Sequence, residues 1–365
     1  VSIAAPAIRA GRAPALLPPL AIGTFVLVVG AVLFASRDTF AFDFLAYHEA
    51  AERVLAGERL YDTSFEQTGG FGLFYYPPPF ILAILPLALI DGSAASVVWL
   101  GVLLAAFFGA IVLLPVRPSV KWLVVLLAGL SWPVAYTFKL GQVGPLLMLA
   151  FAVGWRWTSS PTALGASAAI GALVKVQPGL VLLWAALTRR WRVVAIGVGV
   201  VLVASVAATV VVGVGAWPDY VQLLRQVSDP ITTPHNFTPG AVAYQLGAPA
   251  AIGAVIQAAV AVAVVAAWLV SVRWATSEAS FLVTLVASQL LSPVLWDHYA
   301  VLLLLPVAWL LQRGHWWAVA VPLAVALGVP APPAVYPTLF AAVLVAVLVV
   351  GASERRAGAP ASAPA

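Results

Sequence analysis

Apolar runs long enough to cross a bilayer recur along this chain from residue 16 to residue 351. An untilted helix needs about 20 apolar residues to span about 30 Å of hydrocarbon. Runs at 16–35, 95–114, 120–137, 193–214 and 248–270 are close to that length. Charged residues make up 8% of the chain, against about 25% in soluble proteins. A water-soluble surface cannot be built from so few charges. The sequence therefore predicts an all-α polytopic membrane protein, with residues 1–365 forming a single integral membrane domain. No cysteine is present, which excludes disulfides, thiolate nucleophiles and cysteine metal sites. The formal charge of +5 reads as membrane anchoring rather than as nucleic-acid binding. The first run follows Arg9 and Arg12 without a cleavage pattern, so a retained helix is expected.

Between residues 140 and 188 the apolar pieces are short, broken at Trp155–Pro161 and again at Lys175–Pro178, and a similar break lies at Ser292–His298. Charge decides how these pieces are threaded. If residues 77–91 are re-entrant or interfacial, about twelve transmembrane helices result, with both termini cytoplasmic. Twelve of the 18 cations then fall on the cytoplasmic side, among them Arg117, Lys121, Arg156, Arg189, Arg190, Arg192, Arg273 and Arg313, while eleven of the 13 acids face the other way. That distribution satisfies the positive-inside rule. The short helices require outer ends that open into a water-filled cavity. Residues 36–94 become the first outer loop, residues 215–247 a second, and residues 352–365 a disordered cytoplasmic tail.

The first outer loop is the most polar part of the chain. Its amphipathic pattern predicts a helix over 44–56, with Phe44, Tyr47, Ala51, Val54 and Leu55 on one face and His48, Glu49, Glu52 and Arg53 on the other. Gly57 is placed to stop it, and Asp43 stands where the N-cap is expected. Tyr75-Tyr76-Pro77-Pro78-Pro79 follows, an extended, aromatic segment suited to the interface. Three polar clusters interrupt the later apolar runs: Lys139 to Pro145 around Gly141-Gln142, Lys175 to Pro178, and Ser292 through Trp296, Asp297, His298 and Tyr299. A lysine among apolar residues costs about 3 kcal/mol even on the lenient insertion scale. Lys175 is therefore expected either to snorkel or to meet an anion such as phosphate.

In order and spacing these clusters resemble the polyprenyl-phosphate-sugar-dependent glycosyltransferases of the C-fold superfamily, specifically glycosyltransferase family 87, which is typified by actinobacterial α-1,2-mannosyltransferases. The likeness rests on Asp43 with Tyr47, Ala-Gly-Glu-Arg-Leu-Tyr at 56–61, Tyr76-Pro77-Pro78, Gly141-Gln142, Lys175 with Pro178, Asn236 with Thr238, and Ser292-Pro293 through Trp296 and His298. The chain departs from the family at Tyr299, where a second histidine is usual. The resemblance implies a C-type glycosyltransferase fold and an active site on the outer face of a bacterial plasma membrane. It implies a polyprenyl-phosphate-linked sugar, most often mannose, as donor, and a glycolipid or glycan as acceptor. Asp43 becomes the catalytic base, with His298 a second catalytic group. Lys175, Lys139 and Gln142 become the donor-phosphate contacts, and Tyr47, Tyr76, Asn236 and Trp296 the sugar and acceptor contacts. No Asp-x-Asp pair, metal-spaced histidines or glycine-rich phosphate loop occurs, so neither metal nor other cofactor is expected. A transporter, flippase or ligase of lipid-linked sugars is the alternative, since broken helices with midplane polar groups also mark transporters.

The absence of cysteine makes the threading testable. A cysteine introduced at Ser119 is expected to resist an impermeant thiol reagent added to intact cells. Labelling from outside would place residues 77–91 across the membrane instead.

Overall fold

The computed structural model describes residues 13–64, 72–227 and 229–358. Arg9, Arg12 and residues 359–365 of the expected tail lie outside them. Among the described residues five helices are long and apolar enough to cross a bilayer: Leu16–Ala35, Gly92–Leu113, Trp191–Val212, Ala250–Trp274 and Val335–Arg356. Only 17% of the most apolar window is buried within the protein in the first, third and fourth of these. Most of their valine and leucine surface therefore faces outward, as hydrocarbon solvent allows.

Of the about twelve transmembrane helices expected, several of them short, these five are full-length among the described residues. Pro118–Leu130, Pro161–Val174, Gln177–Leu187 and Asp297–Gln312 are helical but shorter; thirteen residues rise only about 20 Å. The breaks at Trp155–Pro161, Lys175–Pro178 and Ser292–His298 fall where the sequence placed them. The run expected to continue over 120–137 is instead cut at the extended Ser131, where Pro133 starts a new helix. Trp132–Leu140 and Gly144–Arg156 bend by 116° at the Gly141-Gln142 elbow, giving six spans if this pair counts as one. Residues 78–89 form a succession of short helical turns, about 18 Å at helical rise, and pack on the helix Phe42–Leu55. The last helix continues to Arg356, so residues 352–356 are helix rather than tail. The second loop contains two helices of its own, Ala216–Val227 and Pro239–Gln245.

The helix Phe42–Leu55 confirms the expected amphipathic segment and its stop, since Gly57 adopts φ +78°. Two details differ. Ala41, in a left-handed conformation, occupies the N-cap and leaves Asp43 inside the first turn. The aspartate that does cap a helix is Asp91, whose side chain accepts from the amides of Ser93 and Ala94 at 3.0 and 3.1 Å. His48 is buried, not on the polar face. Its Nε2 lies 3.2 and 3.0 Å from the carbonyls of Leu87 and Ile90, tying this helix to the segment behind it.

Helix contacts in a membrane cannot rely on expelling water, so close packing and polar ties matter more. A Cβ on Gly129 would stand 2.7 Å from Phe25 Cα, and one on Gly165 would stand 2.6 Å from the Val193 carbonyl. At the far end of the bundle, Arg313 reaches Glu278 at 2.7 Å and Glu354 at 2.6 Å. The indoles of Trp155 and Trp309 donate to the same Glu278 at 2.6 and 2.9 Å. Four helices are joined at that point. Arg313→Ala leaves two partly buried carboxylates without their cation, and is expected to cost about 2–3 kcal/mol. A drop of several degrees in the detergent melting temperature would register it.

Candidate active site

Asp43 sits at the opposite end of the bundle from Glu278, and the elbow at Gly141-Gln142 holds it there. The Ala41 amide donates to the Lys139 carbonyl at 2.8 Å, and the Trp99 indole donates to the Gly141 carbonyl at 2.7 Å. Gly141 has φ +73°, and a Cβ on it would meet Phe44 Cβ at 2.7 Å. Only glycine permits both that conformation and that approach. The elbow thereby delivers the Gln142 side chain to Asp43.

The hydrogen bonds that follow have a determined direction. Gln142 Nε2 donates to Asp43 Oδ2, and is the one donor to that carboxylate among the described residues. The Gln142 Oε1 atom accepts from the Tyr76 hydroxyl at 2.9 Å. Tyr76 has thereby used its single proton, so at 2.6 Å the Tyr47 hydroxyl donates to it. Tyr47 and Tyr76 are both buried. The sequence expected them to touch sugar; the structure places them as a relay that fixes the Gln142 amide. Gln142, expected at the donor phosphate, is held against Asp43 instead.

Burial raises the Asp43 carboxyl above the usual aspartate range. The Gln142 hydrogen bond opposes the rise, and His298, Lys175 and Lys139 oppose it through their charges. Four of the residues expected in the site are thus brought around Asp43. Lys175 Nζ donates to the Tyr299 hydroxyl and lies 3.9 Å from the centre of that ring and 5.8 Å from the centre of Tyr76. Tyr299, read from sequence only as a departure from the family, is the lysine's direct partner. His298 is buried and lies nearly parallel to Trp296, with ring centres 6.4 Å apart. Trp99 was not anticipated; its signal is the lone indole of its helix.

Asn236 is placed differently from expectation. It is fully buried, and its side-chain amide donates to the carbonyls of Pro230 and Pro293 at 3.0 and 3.1 Å. Its Oδ1 accepts from the amides of Thr238 and Leu295 at 3.0 and 2.9 Å. Every donor and acceptor of that side chain is used, which makes it a brace for the loop leading to His298 rather than a sugar contact.

Residues 74–295, more than half of the chain, match glycosyltransferase family 87. The chain belongs to this family. It is similar to a polyprenol-phosphate-mannose-dependent α-(1-2)-phosphatidylinositol pentamannoside mannosyltransferase of Mycobacterium tuberculosis (strain CDC 1551 / Oshkosh), with 30% identity over 68% of this chain and 60% of the relative. A protein of the same description from Mycolicibacterium smegmatis (strain ATCC 700084 / mc(2)155) is 28% identical over 74% of this chain and 69% of its own length. No solved structure matches the chain.

The Gln142 contact lowers the Asp43 pKa against the effect of burial, so removing it moves the pKa further up. If Asp43 must be ionised to act, activity is lost as pH falls through that pKa. Gln142→Leu is expected to shift the acid limb of the kcat/KM profile to higher pH, with reduced turnover on the plateau. An unshifted limb would mean that Gln142 does not govern Asp43.

Proposed function

We propose that this family 87 member transfers a hexose, mannose in the first instance, from a polyprenyl-phosphate donor to a hydroxyl of a glycolipid or glycan. The supporting observation is the grouping of one desolvated carboxylate, Asp43, with Lys175, Lys139 and His298, in a chain whose relatives bear mannosyltransferase names. Asp43 takes the proton from the acceptor hydroxyl as that oxygen forms its bond to the anomeric carbon. The bond from that carbon to the phosphate oxygen breaks, and its electron pair leaves with polyprenyl phosphate. The displacement inverts the anomeric configuration.

A phosphate leaving group needs no general acid, but charge gathers on its oxygens. In the resting arrangement Lys175 rests on the Tyr299 hydroxyl, a neutral partner that a phosphate oxygen can replace. Lys139 lies nearby as a second cation. Gln142 acts one step back, orienting the base, with Tyr76 and Tyr47 behind it. The reaction is taken as metal-independent. The proposed site faces outward across a bacterial plasma membrane, with the short helices ending at its cavity and the prenyl chain lying among apolar helices.

Asp43→Asn keeps the shape and the Gln142 contact but removes the proton acceptor. It is expected to lower kcat at least about a hundredfold, within the usual span of general-base catalysis, while donor binding stays within about twofold. Radiolabelled polyprenyl-phosphate mannose with purified protein measures both quantities. Activity within a few-fold of the unaltered protein would remove Asp43 as the base.

A further inference from the structure

The transfer described above uses Lys139 at one end of the short helix Trp132–Leu140 and leaves the other partly exposed residues of that helix unassigned. Within that helix every residue is buried except Trp132, Tyr136 and Lys139. Their spacing of four and then three puts them in one stripe. The Trp132 indole stacks on the Tyr136 ring, with centres 5.0 Å apart and planes 17° from parallel. The Trp132 N–H donates to Asp297 Oδ2 at 3.3 Å, and Lys139 Nζ lies 5.8 Å from the centre of Tyr136.

Across from this stripe stand Trp296 and His298. The His298 ring lies edge-on to Tyr136 at 6.3 Å. It is 4% exposed, and neither of its ring nitrogens has a hydrogen-bond partner. Its Nδ1 lies 3.5 Å from Asp297 Oδ1, an oxygen already taken at 2.7 Å by the His298 amide. A buried imidazole without a partner is costly and calls for one.

Stacked aromatic faces beside a carboxylate suit a particular ligand chemistry. The C–H face of a pyranose packs on the ring, while its hydroxyls donate to the carboxylate and to an imidazole nitrogen. The Asp297 charge makes the same surface poor for phosphate, which separates it from the surroundings of Lys175. The Lys139 carbonyl at one end of the stripe accepts from the Ala41 amide, two residues before Asp43, at 2.8 Å, so the surface starts near the proposed base and leads away from it toward Trp132. The geometry points to a platform of Trp132, Tyr136 and Asp297 that holds a neutral hexose unit of the acceptor, with His298 supplying its unused nitrogens to the sugar hydroxyls. The assignment to the acceptor rests on Asp43 being the base.

Binding and turnover test the two readings separately. The full chain in detergent is titrated with an alkyl α-mannoside, and separately with polyprenyl-phosphate mannose. Trp132→Ala is expected to raise the mannoside Kd about tenfold, equivalent to about 1.4 kcal/mol, with the donor Kd within about twofold. Trp132→Phe keeps an aromatic face and is expected to restore most of the affinity; Asp297→Asn is expected to weaken the mannoside alone. Three results would overturn the platform: no mannoside binding by the unaltered protein, unchanged mannoside affinity in both Trp132→Ala and Asp297→Asn, or parallel loss of donor affinity. Mannoside binding without any transfer would instead overturn the proposed reaction and leave the platform standing.

Discussion

A carboxylate taken partly out of water is expensive to keep charged, and the arrangement around Asp43 is organised by that cost. One amide donor, Gln142, meets it directly, and cations nearby offset part of the rest. The amide cannot turn over, because Tyr76 occupies its oxygen and Tyr47 occupies Tyr76. Gly141 allows the chain to bend sharply enough to bring Gln142 there at all. Without the Gln142 contact the carboxyl would be pushed further above the usual aspartate range.

The same cost explains the division of the molecule into two ends. Glu278 with Arg313 and Glu354 forms a closed set, each charge answered within the protein. The Asp43 end is open in this sense: Lys175 leans on a neutral hydroxyl, and His298 has no hydrogen-bond partner. A structural network satisfies its members, whereas a binding site leaves some of them waiting for substrate. The short helices belong with this contrast. A helix of about 20 Å ends below the membrane surface, and its exposed end is tolerable only beside a polar cavity.

Much of this was legible in sequence. The breaks at Lys139–Pro145, Lys175–Pro178 and Ser292–His298 appear where the polar clusters stood, since proline and lysine interrupt an apolar helix for local reasons. The first-loop helix and its Gly57 stop were likewise local. Other assignments failed at long range. Asp43 looked like a cap because caps are recognised by one neighbour's spacing, yet its partner lies 99 residues away. Asn236 looked free to meet a sugar, yet it is saturated by backbone groups from two separate segments. His48 looked exposed on a helical wheel, but the segment at 85–90 covers that side.

By itself the sequence determined that the chain is helical and lipid-facing, where its helices break, and which few polar residues stand apart from the apolar background. Hydropathy and proline act over a few residues, so a one-dimensional reading suffices for them. Which of those polar residues meet, and which are tied to one another or saturated by backbone groups, only the tertiary structure decided. Hydrogen bonds are directional and saturable, and a side chain's role depends on which partners the folded chain brings to within about 3 Å of it.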